Sequence, residues 1–396
     1  VNTAVNSNSD RASKQHSDDV VARVTWSLIT EPGDHLAGTL IDYLGAEPAL
    51  TWLTEPIQDI QKDLCDLSAA AQRKLQTSIQ RWKVRLAHTD SGAASKLVDS
   101  FAGHLITPGD DRWPVQLNDL GPQAPHCLWV RGRDNLAGLT KRSVALVGAR
   151  AATFYGEEVT AQLADDLVES GFTVISGGAY GIDAMAHRAT LAVAGDTIAV
   201  LAGGADRFYP RGNTQILEQI TGSGAVISEL PPGSAPTRSR FLTRNRIIAA
   251  LSSATVVVEA AWRSGALSTA RHALAIARPV GAIPGPVTSM MSAGTHRLLR
   301  EGAVCVTSGS EVAELAGNLY EDLNEEETAT PTLFDDIPLA DRAVYEALPL
   351  QRSAPVMRIA YIASRTVDET LASLGRLELS GHALRCSQGW SRRRKK

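Results

Sequence analysis

The 396-residue chain is poor in several things, and each shortage narrows its function. Its four cysteines, Cys65, Cys127, Cys305 and Cys386, stand far apart, without disulfide-framework or zinc-ligand spacing. They read as the reduced thiols of a cytoplasmic protein. No secretory signal is expected, and no apolar run is long enough to span a bilayer, so no membrane partner is expected. A global excess of positive charge is missing: 39 Lys and Arg against 43 Asp and Glu leave a net charge of −4. Any polyanion must therefore be met by a local patch. Lysine is absent from Arg142 through Arg394. A GC-rich genome accounts for that more simply than selection for arginine chemistry.

Two phosphate motifs are also missing. The dinucleotide fingerprint needs Gly-x-Gly-x-x-Gly after the first strand, where this chain has "GARAAT" (148–153), and the second strand ends in Ser176-Gly177 without an acid for the ribose. No Gly-Lys-Ser/Thr of a Walker A loop occurs. These absences argue against a nicotinamide enzyme and a P-loop NTPase, and no cofactor is expected. A last absence is local. Between Glu229 and Glu259 there is no acidic residue, while Arg238, Arg240, Arg244 and Arg246 crowd the start of "RFLTRNRIIAAL" (240–251). Thr243 reads as the N-cap of that helix, with Leu242 and Ile247 as its hydrophobic staple. Arg244 and Arg246 then fall in the first turn, where the helix dipole disfavours cations by about 0.3–1 kcal/mol. Either Glu229 and Glu259 meet them in the fold, or an external anion does.

What is present organises the chain. Residues 1–18 are polar and unpatterned and read as disordered. Residues 19–102 carry helical spacing, and a Pro- and aromatic-rich connector leads into the centre. Within 103–317, "SVALVGA", "FTVISGG", "TIAVLAGG", "AVISEL", "TVVVEA" and "PVGAIPG" are short, nearly continuous apolar runs suited to strands buried on both faces. Amphipathic segments at 156–170, 182–194, 213–222, 244–252 and 265–277 alternate with them. This is the α/β pattern of a doubly wound, mostly parallel sheet. Residues 318–338 form an acidic linker, 339–390 read as a winged-helix-like module, and 391–396 form a basic tail.

In such a sheet ligands bind beyond the carboxyl ends of the strands. Those ends here carry Gly148 and Arg150, then Ser176, Gly177, Gly178 and Gly181, and then Ser264 and Gly265 before a helix. Small residues and helix N-termini together suit an anion-binding rim, although each glycine alone is more simply a tight turn. Reaction groups are scarce. Asp183 and His187 share a helix face but read as a loop brace and a packed side chain, and no metal-ligand cluster is visible.

The motifs "WPVQLNDL…APHCLWVRG", "VALVGAR…YG", "VISGGAYGIDAMAH", "TIAVLAGG…YP", "ISELPPG", "FLTRNRIIAALS", "VVVEAAWRSGALSTARHAL" and "PVGAIPGP…GTHRLLREGA" run in order over about residues 111–307. They resemble the DprA/Smf family, the bacterial DNA-processing proteins of natural transformation. The resemblance implies an extended Rossmann-like domain, an N-terminal sterile-alpha-motif-like helical domain and a winged-helix C-terminus. It also implies a non-catalytic homodimer that binds single-stranded DNA and loads the recombinase RecA. The family's loop arginine falls on Arg150, its Ser-Gly turn on Ser176, Gly177 and Gly178, its Phe/basic segment on Phe241, Arg244, Asn245 and Arg246, and its Ser-Gly helix start on Ser264 and Gly265. Leu242 replaces the usual Pro and Tyr180 an often basic residue. The rival reading is a nucleotide hydrolase of the lysine-decarboxylase-like group, but "EAAWRSGALSTA" lacks the Glu that follows the glycines there. A third reading makes the C-terminal module the main DNA reader.

Overall fold

The apolar runs become the strands of one nine-stranded sheet: β1 His104–Ile106, β2 Leu128–Gly132, β3 Ser143–Val147, β4 Thr173–Ser176, β5 Thr197–Val200, β6 Ala225–Ser228, β7 Ala254–Val257, β8 Val280–Ala282 and β9 Val304–Cys305. In the computed structural model the described residues are 18–55, 68–90, 92–317, 338–349, 353–386 and 389–393. The expected disordered start except Asp18, which already begins a helix, nearly all of the acidic linker and the last residues of the basic tail lie outside them. Every residue of β3 to β8 is buried, as strands covered by helices on both faces require.

The strand order is β1-β2-β6-β5-β4-β3-β7-β8-β9. From β3 the chain steps outward through β4, β5 and β6 in parallel. It then returns to lay β7 on the other side of β3 and continues to β8 and β9. The direction of winding therefore reverses between β3 and β7, which makes that gap the topological switch point. β2 adds to β6, and β1 to β2, both antiparallel. The edge strands β1 and β9 are only three and two residues long and carry exposed positions, so apolar patterning gives them little signal.

Helices Phe154–Glu169, Ile182–Ala192, Thr214–Ser223 and Ala266–Ala275 match the expected segments closely. The fifth anticipated helix corrects an expectation. It spans Arg238–Leu251, and Thr237, not Thr243, is its N-cap, accepting the Arg240 N–H at 3.3 Å. Thr243 is an interior residue whose hydroxyl donates back to the Ser239 carbonyl at 3.1 Å. Arg238 and Arg240 thus occupy the first turn, and Arg244 and Arg246 lie deeper in the helix. The opening "RSR" is polar, so apolar periodicity cannot register the first turn.

The chain divides into two compact units, 1–323 and 324–396. In the first, a helical segment built from 18–29, His35–Leu44, Ala46–Thr54, Ala69–Ala87 and Ala93–Ser100 accompanies the sheet. Trp26 and Trp82 meet edge-to-face in its core, with centroids 5.5 Å apart. It docks on the β2 side of the sheet, where Phe101 packs on Trp129 at 5.1 Å. Contact there is intimate: a Cβ on Gly38 would sit 1.8 Å from the Pro122 carbonyl oxygen. The second unit comprises helices Leu339–Ala347, Val356–Ala363 and Val367–Leu379 and the hairpin of β10 (Ala383–Cys386) and β11 (Gly389–Arg392). Val344, Leu348, Ile359, Leu374, Leu377 and Trp390 form its core.

Candidate nucleic-acid interface

At the switch point β3 runs into Gly148-Ala149-Arg150, and β7 runs into the loop that ends at Ser264-Gly265. Between them lies a crevice of about 360 Å³ lined by Gly148, Arg150, Asp183, Phe241, Arg244, Asn245, Arg263, Ser264 and Gly265. A second groove of about 740 Å³ shares Arg150, Phe241, Leu242, Arg263, Ser264 and Gly265 and adds Tyr209, Arg238, Trp262, Arg271 and Arg297.

The Arg150 loop is held from below. Glu259, just past β7, accepts hydrogen bonds from the Thr153 amide at 2.9 Å and its hydroxyl at 2.6 Å. This carboxylate ties the loop after β3 to the end of β7, across the switch point. Gly156 makes room for it, since a Cβ there would lie 2.3 Å from Glu259 Oε2. Gly148 is equally constrained, its side-chain position lying 2.5 Å from Ile182 Cγ1.

The arginines that seemed to lack counter-charges sort into two groups. Arg246 is almost fully buried and grips Glu229 through both terminal nitrogens, at 2.7 and 2.6 Å, while its Nε donates to the Gln123 carbonyl at 2.9 Å. Arg240 reaches Glu31 of the helical segment at 3.2 Å. Arg244 is buried beneath the crevice and donates to the carbonyls of Gly177, at 2.8 Å, and Val200. Burial lowers its pKa to about 10, with Asp183 working in the opposite direction. Burial also raises the Asp183 pKa, and Arg244 and the backbone amides of Ala179, Gly148 and Gly177 offset this. Asp183 therefore braces the turn, as expected. His187 is buried beside Thr197, its Nδ1 2.8 Å from the hydroxyl, and burial pushes its pKa down to about 3.

The second group faces solvent. Arg150, Arg238 and Arg263 are exposed on the groove, and none has a carboxylate partner among the described residues. The Arg150 guanidinium lies 4.8 Å over the Phe241 ring, which also meets Tyr209 at 5.9 Å. Phe241 is thus a half-buried groove residue and not part of the helix core.

Of the residues anticipated from sequence, the structure gathers Arg150, Phe241, Arg244, Asn245, Ser264 and Gly265 around one crevice. Asn245 donates to the Gly265 carbonyl at 3.3 Å, joining the two helices there. Ser176, Gly177 and Gly178 sit in the interior instead. The Ser176 hydroxyl donates to Leu146 at 2.6 Å, the Gly177 amide to Asp183 at 3.2 Å, and the Gly178 carbonyl accepts from Asn213 at 3.0 Å. Arg246 lines neither cavity, because its guanidinium is spent on Glu229. Sequence reasoning passed over Arg263, Trp262 and Tyr209, although Arg263 adjoins Ser264 in a strand-end motif. In the sequence Arg238 stands out only as part of a charge cluster.

Sheet order and switch-point groove together define a Rossmann-like α/β protein with an arginine-rich, aromatic-flanked binding face. Residues 104–317 match the family described as DNA recombination-mediator protein A. A putative DNA processing protein DprA of Mycobacterium tuberculosis is 46% identical over 297 residues, covering 72% of this chain and 76% of that protein. Protein Smf of Escherichia coli K12 is 36% identical over 301 residues, or 74% and 78% of the two chains. The X-ray structure of DNA processing protein A from Streptococcus pneumoniae aligns with a TM-score of 0.61 and 30% identity over 76% of this chain and 98% of that one. The chain belongs to the DNA recombination-mediator protein A family, the DprA/Smf proteins.

Proposed function

We propose that this chain is a single-stranded DNA-binding accessory protein whose strand lies along the switch-point groove. One observation carries the reading: Arg150, Arg238 and Arg263 are exposed there without carboxylate partners among the described residues, beside the aromatic rings of Phe241 and Tyr209. Unpaired guanidiniums suit phosphates, and rings offer faces to bases that a duplex would hide, so the combination favours single strands. Arg244, Asn245 and the Ser264-Gly265 helix start form the floor of the crevice, with Arg246 bracing the helix from behind. On this reading the protein acts as a homodimer that protects incoming strands and hands them to RecA during natural transformation or recombination. Family membership supports that role. The reading assigns no catalytic step, since Glu229 and Glu259 are committed to Arg246 and Thr153.

The test is fluorescence anisotropy of a labelled oligonucleotide with Arg150→Glu/Arg263→Glu, repeated over a salt series. The variant is expected to bind far more weakly. Its log–log salt slope should be shallower by about 1.4, at about 0.7 for each lost single-strand phosphate contact. An unchanged affinity and slope in the folded variant would remove the groove from consideration. Stimulation of RecA filament growth on a pre-coated strand tests the loading role separately.

A further inference from the structure

We infer that Trp262 is a second stacking platform, so that the site continues beyond the crevice and takes a further nucleobase of the same strand, with its phosphate on Arg238 and Arg271. This extends the function proposed above and rests on it. Phe241 offers a base one face at most, because Arg150 lies over the ring and Tyr209 leans against it. Trp262 differs. It is 57% exposed, a large apolar ring left in water at the edge of the 740 Å³ groove. Arg297 lies 5.6 Å from its ring centroid and is itself held by Glu301 at 2.7 Å. The ring is therefore steadied by one guanidinium, while more than half of its surface stays accessible. Five arginines and a single carboxylate, Glu301, line this groove, and that carboxylate is already engaged. Charge of this kind suits a polyanion bearing flat rings and disfavours an apolar protein surface. Arg238 and Arg271 line the same groove as this aromatic face, the combination of cations and a ring that sequence-tolerant single-strand sites use.

The experiment measures binding of oligothymidylates of increasing length to wild type, Trp262→Ala and Trp262→Phe, with circular dichroism to verify the fold. Short oligonucleotides that fill only the crevice should bind the Trp262→Ala variant as they bind wild type. Longer ones should lose about 5- to 150-fold, the loss expected for one stacked base. Trp262→Phe should restore most of it. Undiminished affinity at every length overturns the inference; if Arg150→Glu/Arg263→Glu still abolishes binding, the proposed function stands without it. An equal loss at all lengths also overturns it, by showing that Trp262 is no separate subsite. A change in oligomeric state without loss of DNA affinity assigns the ring to a protein interface and overturns it too. Failure of wild type to bind any oligonucleotide overturns both readings.

Discussion

Arg246 offers the sharpest test of how the binding helix is built. Its side chain and that of Glu229 are 2% and 8% exposed, and two charge-assisted hydrogen bonds join them. Arg246→Ala leaves a buried carboxylate without its cation and the Gln123 carbonyl without its donor. Breaking a buried pair from one side costs about 3–5 kcal/mol. With a urea dependence of about 3 kcal/mol per molar, the unfolding midpoint should fall by about 1–1.7 M. Replacing both partners, as Arg246→Met/Glu229→Leu, removes the uncompensated charge and should recover most of that loss. Urea unfolding of wild type, Arg246→Met, Glu229→Leu and the double variant closes the cycle. Because the pair lies behind the helix, the folded double variant should bind oligonucleotides as wild type does. The reasoning is refuted if Arg246→Ala costs less than about 1 kcal/mol, or if the stable double variant loses DNA binding. The second result would make Arg246 an anion contact, as its position in the sequence first suggests.

Two further perturbations probe the scaffold beneath the groove. Gly156→Ala places a methyl 2.3 Å from Glu259 Oε2, so the carboxylate must release Thr153; a loss of about 1–3 kcal/mol is expected in thermal or urea unfolding, and wild-type stability would show that the Arg150 loop does not depend on this tie. His187 has its pKa held near 3, below the ordinary histidine value of 6.5, by burial. Between those values the unfolded chain binds a proton that the folded chain does not, so this group adds stability as pH rises through the window and nothing more above it. Wild type should therefore lose up to about 1.4 kcal/mol more per pH unit than His187→Gln on acidification from pH 6 to 4; parallel stability curves for the two would refute the assignment.

The strands were legible because a strand buried on both faces must be apolar along its whole length, and runs such as "SVALV" and "TVVV" have no other simple reading. Four of the five anticipated helices were equally plain, while Ala293–Arg300 and Gly309–Ala316 were not anticipated. Helix Arg238–Leu251 opens on Arg-Ser-Arg, residues that carry no apolar signal, so its start moved outward and Thr243 lost its capping role to Thr237. The capping error also misplaced the puzzle: the first-turn arginines are Arg238 and Arg240, not Arg244 and Arg246.

For the candidate site, sequence alone determined which residue types crowd the strand ends and that nearby acids were too few to neutralise them. Those are local properties, written in composition and spacing. It could not determine which arginine faces water. Arg240, Arg244 and Arg246 find partners at Glu31, Gly177 and Glu229, two of them remote in sequence, through the docking of the helical segment and the parallel order of β4, β5 and β6. Only the reversal of winding between β3 and β7 brings Arg150 beside Arg263, with no carboxylate partner for either among the described residues. Counter-charge is a question of distance through space, and here the tertiary fold alone decides it.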